Sequence, residues 1–156
     1  MKKVFIGIDP GISGAIAILD ESGAFIEAWD MPPMQDGKKN QVNAAELAKE
    51  LGRYADSYLI AIVEKVGAMP GQGVSSMFNF GKSFGVALGV IAALGAETRL
   101  VTPPAWKKHY KLTGKPKDAS RTLAQQYYPA APLGRKKDHG KGDALLLARY
   151  GIEQCK

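Results

Sequence analysis

Val4-Phe5-Ile6-Gly7-Ile8-Asp9-Pro10-Gly11-Ile12-Ser13-Gly14-Ala15-Ile16-Ala17-Ile18-Leu19 lies near the start of the chain and governs how the rest is read. Val4 to Asp9 is apolar and rich in β-branched residues, as in a largely buried strand, and Ala15 to Leu19 reads as a second. The intervening Pro10 to Gly14 carries the Pro, Gly and Ser of a turn. The two strands therefore form a hairpin, with the Asp9 carboxylate at its mouth.

Beyond the hairpin, Phe25 to Met31 reads as a third strand that stops at Pro32-Pro33, and residues 35–40 as a polar loop. Asn43 caps a helix running to Tyr54, with Ala44, Leu47, Ala48 and Leu51 on one face. Tyr58 to Val66 is a strand whose run Leu59-Ile60-Ala61-Ile62-Val63 calls for burial on both faces and is interrupted by Glu64. Residues 67–74 are Gly-rich, after which Ser75 or Ser76 caps a long helix reaching Leu94, with Gly95 as its stop. Arg99 to Thr102 is a short strand, followed by helices over Ala105 to Lys111, Asp118 to Tyr128 and Lys141 to Ile152. This order predicts an α/β fold, a mixed sheet flanked by helices, in one domain spanning residues 1–156.

Composition narrows the partners. At 156 residues and 46% hydrophobic, the chain can fill one core without disulfides or a structural metal. Its net charge of +6 is unevenly spread: residues 1–78 carry 7 Lys/Arg against 10 Asp/Glu, and residues 79–156 carry 14 against 5. A basic half of this kind points to an acidic partner. The one cysteine, Cys155, excludes a disulfide framework or a cysteine-rich zinc site within the chain and fits a reducing compartment. Met1-Lys2-Lys3 before apolar residues faintly resembles a signal peptide, but Asp9, Pro10 and Gly11 break the run. No stretch is read as approaching the roughly 20 apolar residues of a membrane span. The expectations are a cytoplasmic location, in a bacterium or a phage-infected host, with no membrane partner and no small-molecule organic cofactor.

Charged side chains are rarely buried alone, so a carboxylate at the end of an apolar strand needs a reason. Asp9 ends the first strand, Glu64 ends the most apolar one, and Asp143 opens the last helix beside Ala144, Leu147 and Ala148. Singly, each has a plain structural use: an Asx-turn with Gly11, an ion pair, a favourable charge at a helix N-terminus. Together they converge, because parallel neighbouring strands would set Asp9 beside Glu64 and a helix packed across that edge would add Asp143. Carboxylates that close repel unless a divalent cation neutralises them. All-oxygen ligation selects Mg²⁺, with Mn²⁺ as a substitute, and carboxylates bridging two ions about 3.5–4 Å apart serve phosphodiester hydrolysis. Two Mg²⁺ ions per site are therefore expected.

In order and spacing, Ile6-Gly7-Ile8-Asp9-Pro10-Gly11-Ile12-Ser13-Gly14, Ala61-Ile62-Val63-Glu64-Lys65-Val66 and Asp143-Ala144-Leu145-Leu146-Leu147-Ala148 resemble the three acidic motifs of RuvC-type Holliday junction resolvases. The resemblance covers nearly the whole chain. Ala68-Met69-Pro70-Gly71-Gln72-Gly73-Val74-Ser75-Ser76-Met77-Phe78 with Phe80-Gly81 is similar, in particular, to compact RuvC-like proteins of phages and prophages. It implies an RNase H-like fold, a mixed five-stranded sheet with three antiparallel strands then two parallel. It also implies that Asp9, Glu64 and Asp143 are metal-holding catalytic residues and that a homodimer nicks opposing strands of a four-way DNA junction. The chain departs from the common pattern where many members carry an acidic residue or histidine three positions before the last aspartate; here that position is Gly140. His139 and Asp138 are the candidates for this fourth ligand. His139 shares the helical face of Asp143 if the helix reaches back that far, whereas Asp138, roughly 140° around the helix, reaches the site only from a preceding loop.

Lys107, Lys108, Lys111, Lys115, Lys117 and Arg121 surround a Gly/Pro loop, and Arg135, Lys136, Lys137 and Lys141 lead into the last motif. Both clusters suit phosphate, which gives affinity without sequence information. Met69, Gln72, Ser75, Phe78 and Lys82, in or just after the Gly-rich stretch, are candidates to contact nucleic acid, the apolar ones by stacking on opened bases. The long helix is the candidate dimer interface, since Phe80, Phe84, Val86, Leu88, Val90 and Ile91 spread over more than one face and Gly81, Gly85 and Gly89 recur every fourth residue. Competing readings are an RNase H-like nuclease acting on other branched DNA or RNA–DNA hybrids, a non-catalytic junction-binding protein, and an actin-like ATPase, of whose two domains this length holds one.

Overall fold

In the computed structural model, which describes residues 1–155, the opening stretch forms β1 (Lys3–Asp9) and β2 (Ala15–Asp20), antiparallel from Val4 opposite Asp20 to Asp9 opposite Ala15. β3 (Phe25–Asp30) pairs antiparallel with β2. A separate hairpin follows, β4 (Pro33–Asp36) and β5 (Lys39–Val42), where a polar loop was expected. Its signal is Asp36-Gly37: Gly37 takes φ 63, the left-handed conformation that a tight turn needs. Past α1 (Ala44–Gly52), whose first turn is capped by Asn43 accepting from the Glu46 amide at 3.0 Å, β6 (Tyr58–Glu64) lies parallel to β1. α2 (Val74–Ala93) leads to β7 (Glu97–Val101), parallel to β6. The sheet order is β3-β2-β1-β6-β7, the mixed five-stranded arrangement expected. Three helices complete the chain: α3 (Pro103–His109), α4 (Ala119–Tyr127) and α5 (His139–Gln154), the last starting two residues before the expected Lys141.

Alternation along the strands sorts the two faces. Val4, Ile6, Ile8, Leu59, Ala61 and Val63 pack with Leu47 and Leu51 of α1 and Ala87 and Ile91 of α2. Phe5, Ile60 and Ile62 pack on the other side with Ala144, Leu145 and Ala148 of α5 and with Trp106 of α3. By the same period of two, Gly7, Asp9 and Glu64 belong to the α5 face. The contact there is close: a Cβ on Gly7 would stand 1.8 Å from the Ala144 carbonyl oxygen.

α2 corrects one expectation. It is long and apolar enough, by length and composition, to cross a membrane, although Gly, Ser, Asn79 and Lys82 interrupt the apolar residues, and only 22% of its most apolar 18-residue stretch is buried. Its sheet-facing side is Ser83, Ala87 and Ile91. A Cβ at Gly81, Gly85 or Gly89 would meet nothing within 4 Å, so that stripe faces away from the sheet.

Gly7→Ala should destabilise the fold by about 3 kcal/mol or more, because backbone rather than a flexible side chain blocks the new methyl. Gly52→Ala, with nothing within 4 Å of the added carbon, should be neutral or slightly stabilising. Chemical denaturation of both variants checks the pair.

Candidate active site

Asp9 and Glu64 are the last residues of β1 and β6. The parallel register that pairs Ile8 with Val63 carries them side by side to the carboxyl ends of neighbouring strands, the edge where α/β sheets hold their ligands. Asp143 joins them from the second turn of α5, and His139 is the first residue of that helix. These four side chains line one cavity of about 610 Å³, whose rim includes Lys107 from α3 and Lys115 and Lys117 from the loop before α4. Among the described residues no three His, Cys, Asp or Glu side chains close into a ready-made metal cage. The carboxylates face a shared cavity without converging on a point.

Burial, together with the charges of Glu64 and Asp143, pushes the Asp9 carboxyl up to about 7, against a smaller pull from the Gly11 amide and Lys117. Asp143 is pushed up to about 6 by burial and by Glu64, offset in part by the Ser120 hydroxyl, Lys107 and Lys117. Glu64 is raised too, by burial, while the Trp106 indole and Lys107 hold it down. His139 moves the other way, because burial and Lys117 disfavour its imidazolium. Its Nδ1 is buried without a hydrogen-bond partner. A strained set of carboxylate oxygens with one neutral, unpartnered imidazole nitrogen fits a hard divalent cation that also accepts nitrogen.

Sequence reasoning missed what holds Glu64. Trp106, fully buried, donates its indole N–H to Glu64 Oε2 at 2.9 Å. The signal was a lone Trp in a short basic helix, since a buried indole nearly always finds an acceptor. Gly140, the position that departs from the common pattern, also has a structural reason. A Cβ there would lie 3.2 Å from the Ser13 carbonyl and 3.6 Å from Asp9 Oδ2, so the bare backbone lets the first turn of α5 close on the β1–β2 turn.

The structure separates the two fourth-ligand candidates. His139 lines the cavity; Asp138 does not. Asp138 is 2% exposed, and its carboxylate accepts from the Arg135 amide at 2.8 Å, the Arg135 guanidinium at 2.7 Å and Lys141 Nζ at 3.1 Å. These partners hold its pKa far below the usual carboxylate range. The same cluster withdraws Lys141, buried and bound to Asp138, from the free cations expected to meet phosphate, and engages Arg135 in part. Arg121 likewise bonds Asp118 and the Leu133 carbonyl. Lys108, Lys136 and Lys137 are exposed but stand outside the cavity. Met69, Gln72, Ser75 and Phe78 are exposed, with Phe78 70% accessible, and Lys82 lines a second cleft.

Solved structures with this fold exist. Thermus thermophilus RuvC, determined alone and in complex with Holliday junction substrate, superposes with TM-scores of 0.61 in both cases, at 16% and 14% identity, over 97% of this chain and 95% of RuvC. The chain has the RuvC fold. In sequence, 100 residues, 62% of this chain, are 34% identical to the chloroplastic Holliday junction resolvase MOC1 of Chlamydomonas reinhardtii. That match spans only 11% of MOC1. No protein-family model matches the chain.

The RuvC-fold site carries a pH signature. Asp9 and Asp143 titrate near 7 and 6 when folded, against an ordinary 3.8, so across that interval the folded state binds more protons than the unfolded one. Stability without metal should therefore fall as pH rises from about 4 to about 7. Asp138, depressed instead, has the opposite effect, contributing stability that is lost only as pH drops below about 4. Thermal melts in chelator should show a lower midpoint at pH 8 than at pH 5, and Asp9→Asn should flatten the difference. Added Mg²⁺ should raise the midpoint at pH 8 much more than at pH 5; an equal rise at both would detach the carboxylates from metal binding.

Proposed function

We propose that this chain is a divalent-metal-dependent endonuclease that resolves four-way DNA junctions by paired nicks, acting as a single RuvC-like domain in a homodimer. One observation carries the reading: on a RuvC fold, three carboxylates from three separate elements face one lysine-rimmed cavity, where burial raises all three pKa values and the Glu64 charge raises those of Asp9 and Asp143 further. Asp9, Glu64 and Asp143, with His139 as the fourth ligand, would hold Mg²⁺ or Mn²⁺, two ions in the full site. Such ions neutralise the phosphodiester and supply a hydroxide nucleophile at neutral pH. Trp106 keeps the Glu64 carboxylate oriented, Lys107, Lys115 and Lys117 draw a phosphate to the cavity, and exposed Met69 and Phe78 meet opened bases. A non-catalytic junction binder would need the basic rim but has no use for three mutually repelling carboxylates. Hybrid-cleaving nucleases share the chemistry, and the junction resolvases among the relatives favour a four-way substrate.

Two opposed nicks need two sites in one particle, which a two-fold dimer provides. The open Gly81-Gly85-Gly89 stripe of α2, flanked by half-buried Phe84 and Leu88, supports this helix as the contact, since bare backbone lets a partner helix approach closely.

A synthetic four-way junction should be nicked in Mg²⁺ and left whole in chelator, while linear duplex, flap and RNA–DNA hybrid are cut far more slowly. Asp9→Asn, Glu64→Gln and Asp143→Asn should each reduce cleavage by at least about 10³-fold while junction binding persists. His139→Ala should cut activity with the melt unchanged, and Asp138→Asn should instead lower the melting temperature. Preferred cleavage of the hybrid would overturn the junction reading.

Gly85→Glu places a charge on the open side of α2, where it should leave the protomer folded. Light scattering should then find monomers that bind the junction weakly and make no paired nicks. A wild-type protein that is monomeric both alone and on a junction would remove α2 as the interface.

A further inference from the structure

A second cleft of about 390 Å³ opens between the β4–β5 hairpin and α2. Ile12 and Phe80 line both it and the active-site cavity, so the two adjoin across these side chains. The charged side chains on its walls are Lys39 and Lys82; no carboxylate lines it, in contrast to the main cavity. Asn40, Ser76 and Asn79 add amide and hydroxyl groups. Lys39 is held in place over the cleft, its Nζ donating to Ser75 Oγ at 2.9 Å. The adjoining first turn of α2 has no acidic residue and no side-chain cap, so its amides and the positive end of a 20-residue helix remain available to an anion.

We propose that this cleft is a second nucleic-acid site, gripping the backbone of the DNA strand that runs on from the phosphate held in the main cavity. The proposal rests on the nuclease reading above. A strand lying across the active site must leave it on both sides, and this exit is electropositive, polar and pre-organised. Two ammonium groups with amides and a hydroxyl suit phosphate oxygens and base edges, without demanding a particular sequence. The hairpin, which packs outside the main sheet, thereby acquires a use beyond linking β3 to α1.

Affinity separates this site from the catalytic one. Fluorescence anisotropy with a labelled four-way junction, run in chelator across a salt series, compares the wild-type protein with Lys39→Ala/Lys82→Ala, with Ser76→Asp and with Lys2→Ala/Lys49→Ala, whose lysines lie outside the cleft. The cleft double variant should bind about tenfold more weakly and lower the salt slope by about 1.8, two phosphate contacts at about 0.9 each. Ser76→Asp leaves Lys39 in place and suits a helix N-terminus, so it should fold normally yet also weaken binding. The control pair should match wild type. Loss in the cleft pair no greater than in the control pair, or wild-type affinity in Ser76→Asp, would overturn the site. A wild-type protein that binds the junction but does not cut it in Mg²⁺ would overturn the nuclease reading while the cleft is still judged on affinity; one that binds no DNA would overturn both.

Discussion

Helix α5 lies against β1 with no side chain between them at Gly7, and that contact positions the site. With Ala144 seated over Gly7, its neighbour Asp143 is carried to the end of the sheet where β1 and β6 deliver Asp9 and Glu64. Gly140 repeats the device one turn earlier against the β1–β2 turn, bringing His139 to the same cavity. A methyl group at either place would press on backbone, which yields poorly in a close-packed interior. The separation of the four cavity-lining side chains on three elements is thus set by two missing ones.

The site and its surroundings handle charge in opposite ways. In the cavity the carboxylates have neutral partners at most, Trp106 on Glu64 and Ser120 on Asp143, and burial pushes Asp9 and Asp143 well above the ordinary range, a state that a cation relieves. Five residues before Asp143 in sequence, Asp138 is saturated by Arg135 and Lys141 and holds its proton far more weakly. That buried cluster fastens the loop before α5 to the helix start, so cations that seem available to DNA in the sequence serve the framework. The lysines that do line the cavity are Lys107, Lys115 and Lys117.

α2 presents three different faces. Ser83, Ala87 and Ile91 meet the sheet, the Gly81-Gly85-Gly89 stripe is open, and its first turns border the cleft beneath the β4–β5 hairpin. Of its large apolar side chains, Val74 and Phe78 at the first turns are exposed, while Phe84, Val86, Leu88 and Val90 are half-buried against the core.

Much of this was legible in the residues. The β1–β2 hairpin, the β6 strand, the Asn43 cap and the stop at Gly95 followed from local pattern, because caps, turns and alternation act over a few residues, whereas the five-stranded arrangement was what the family resemblance implied. The meeting of Asp9 with Glu64 followed from parallel pairing alone, since equal register brings strand ends together. The Asp36-Gly37 turn is a local signal too, with Gly37 at φ 63 between β4 and β5. What no local pattern could decide were contacts between distant elements. Trp106 reaches Glu64 across 42 residues, Lys39 reaches Ser75 across 36, and whether Lys141 is a free cation or a buried partner depends on how the preceding loop folds back. Sequence by itself determined which groups were available and on which face of each element they stood, because backbone geometry is local. Tertiary structure alone decided which of them became partners, because burial and electrostatic pairing depend on distances that only the packed chain sets.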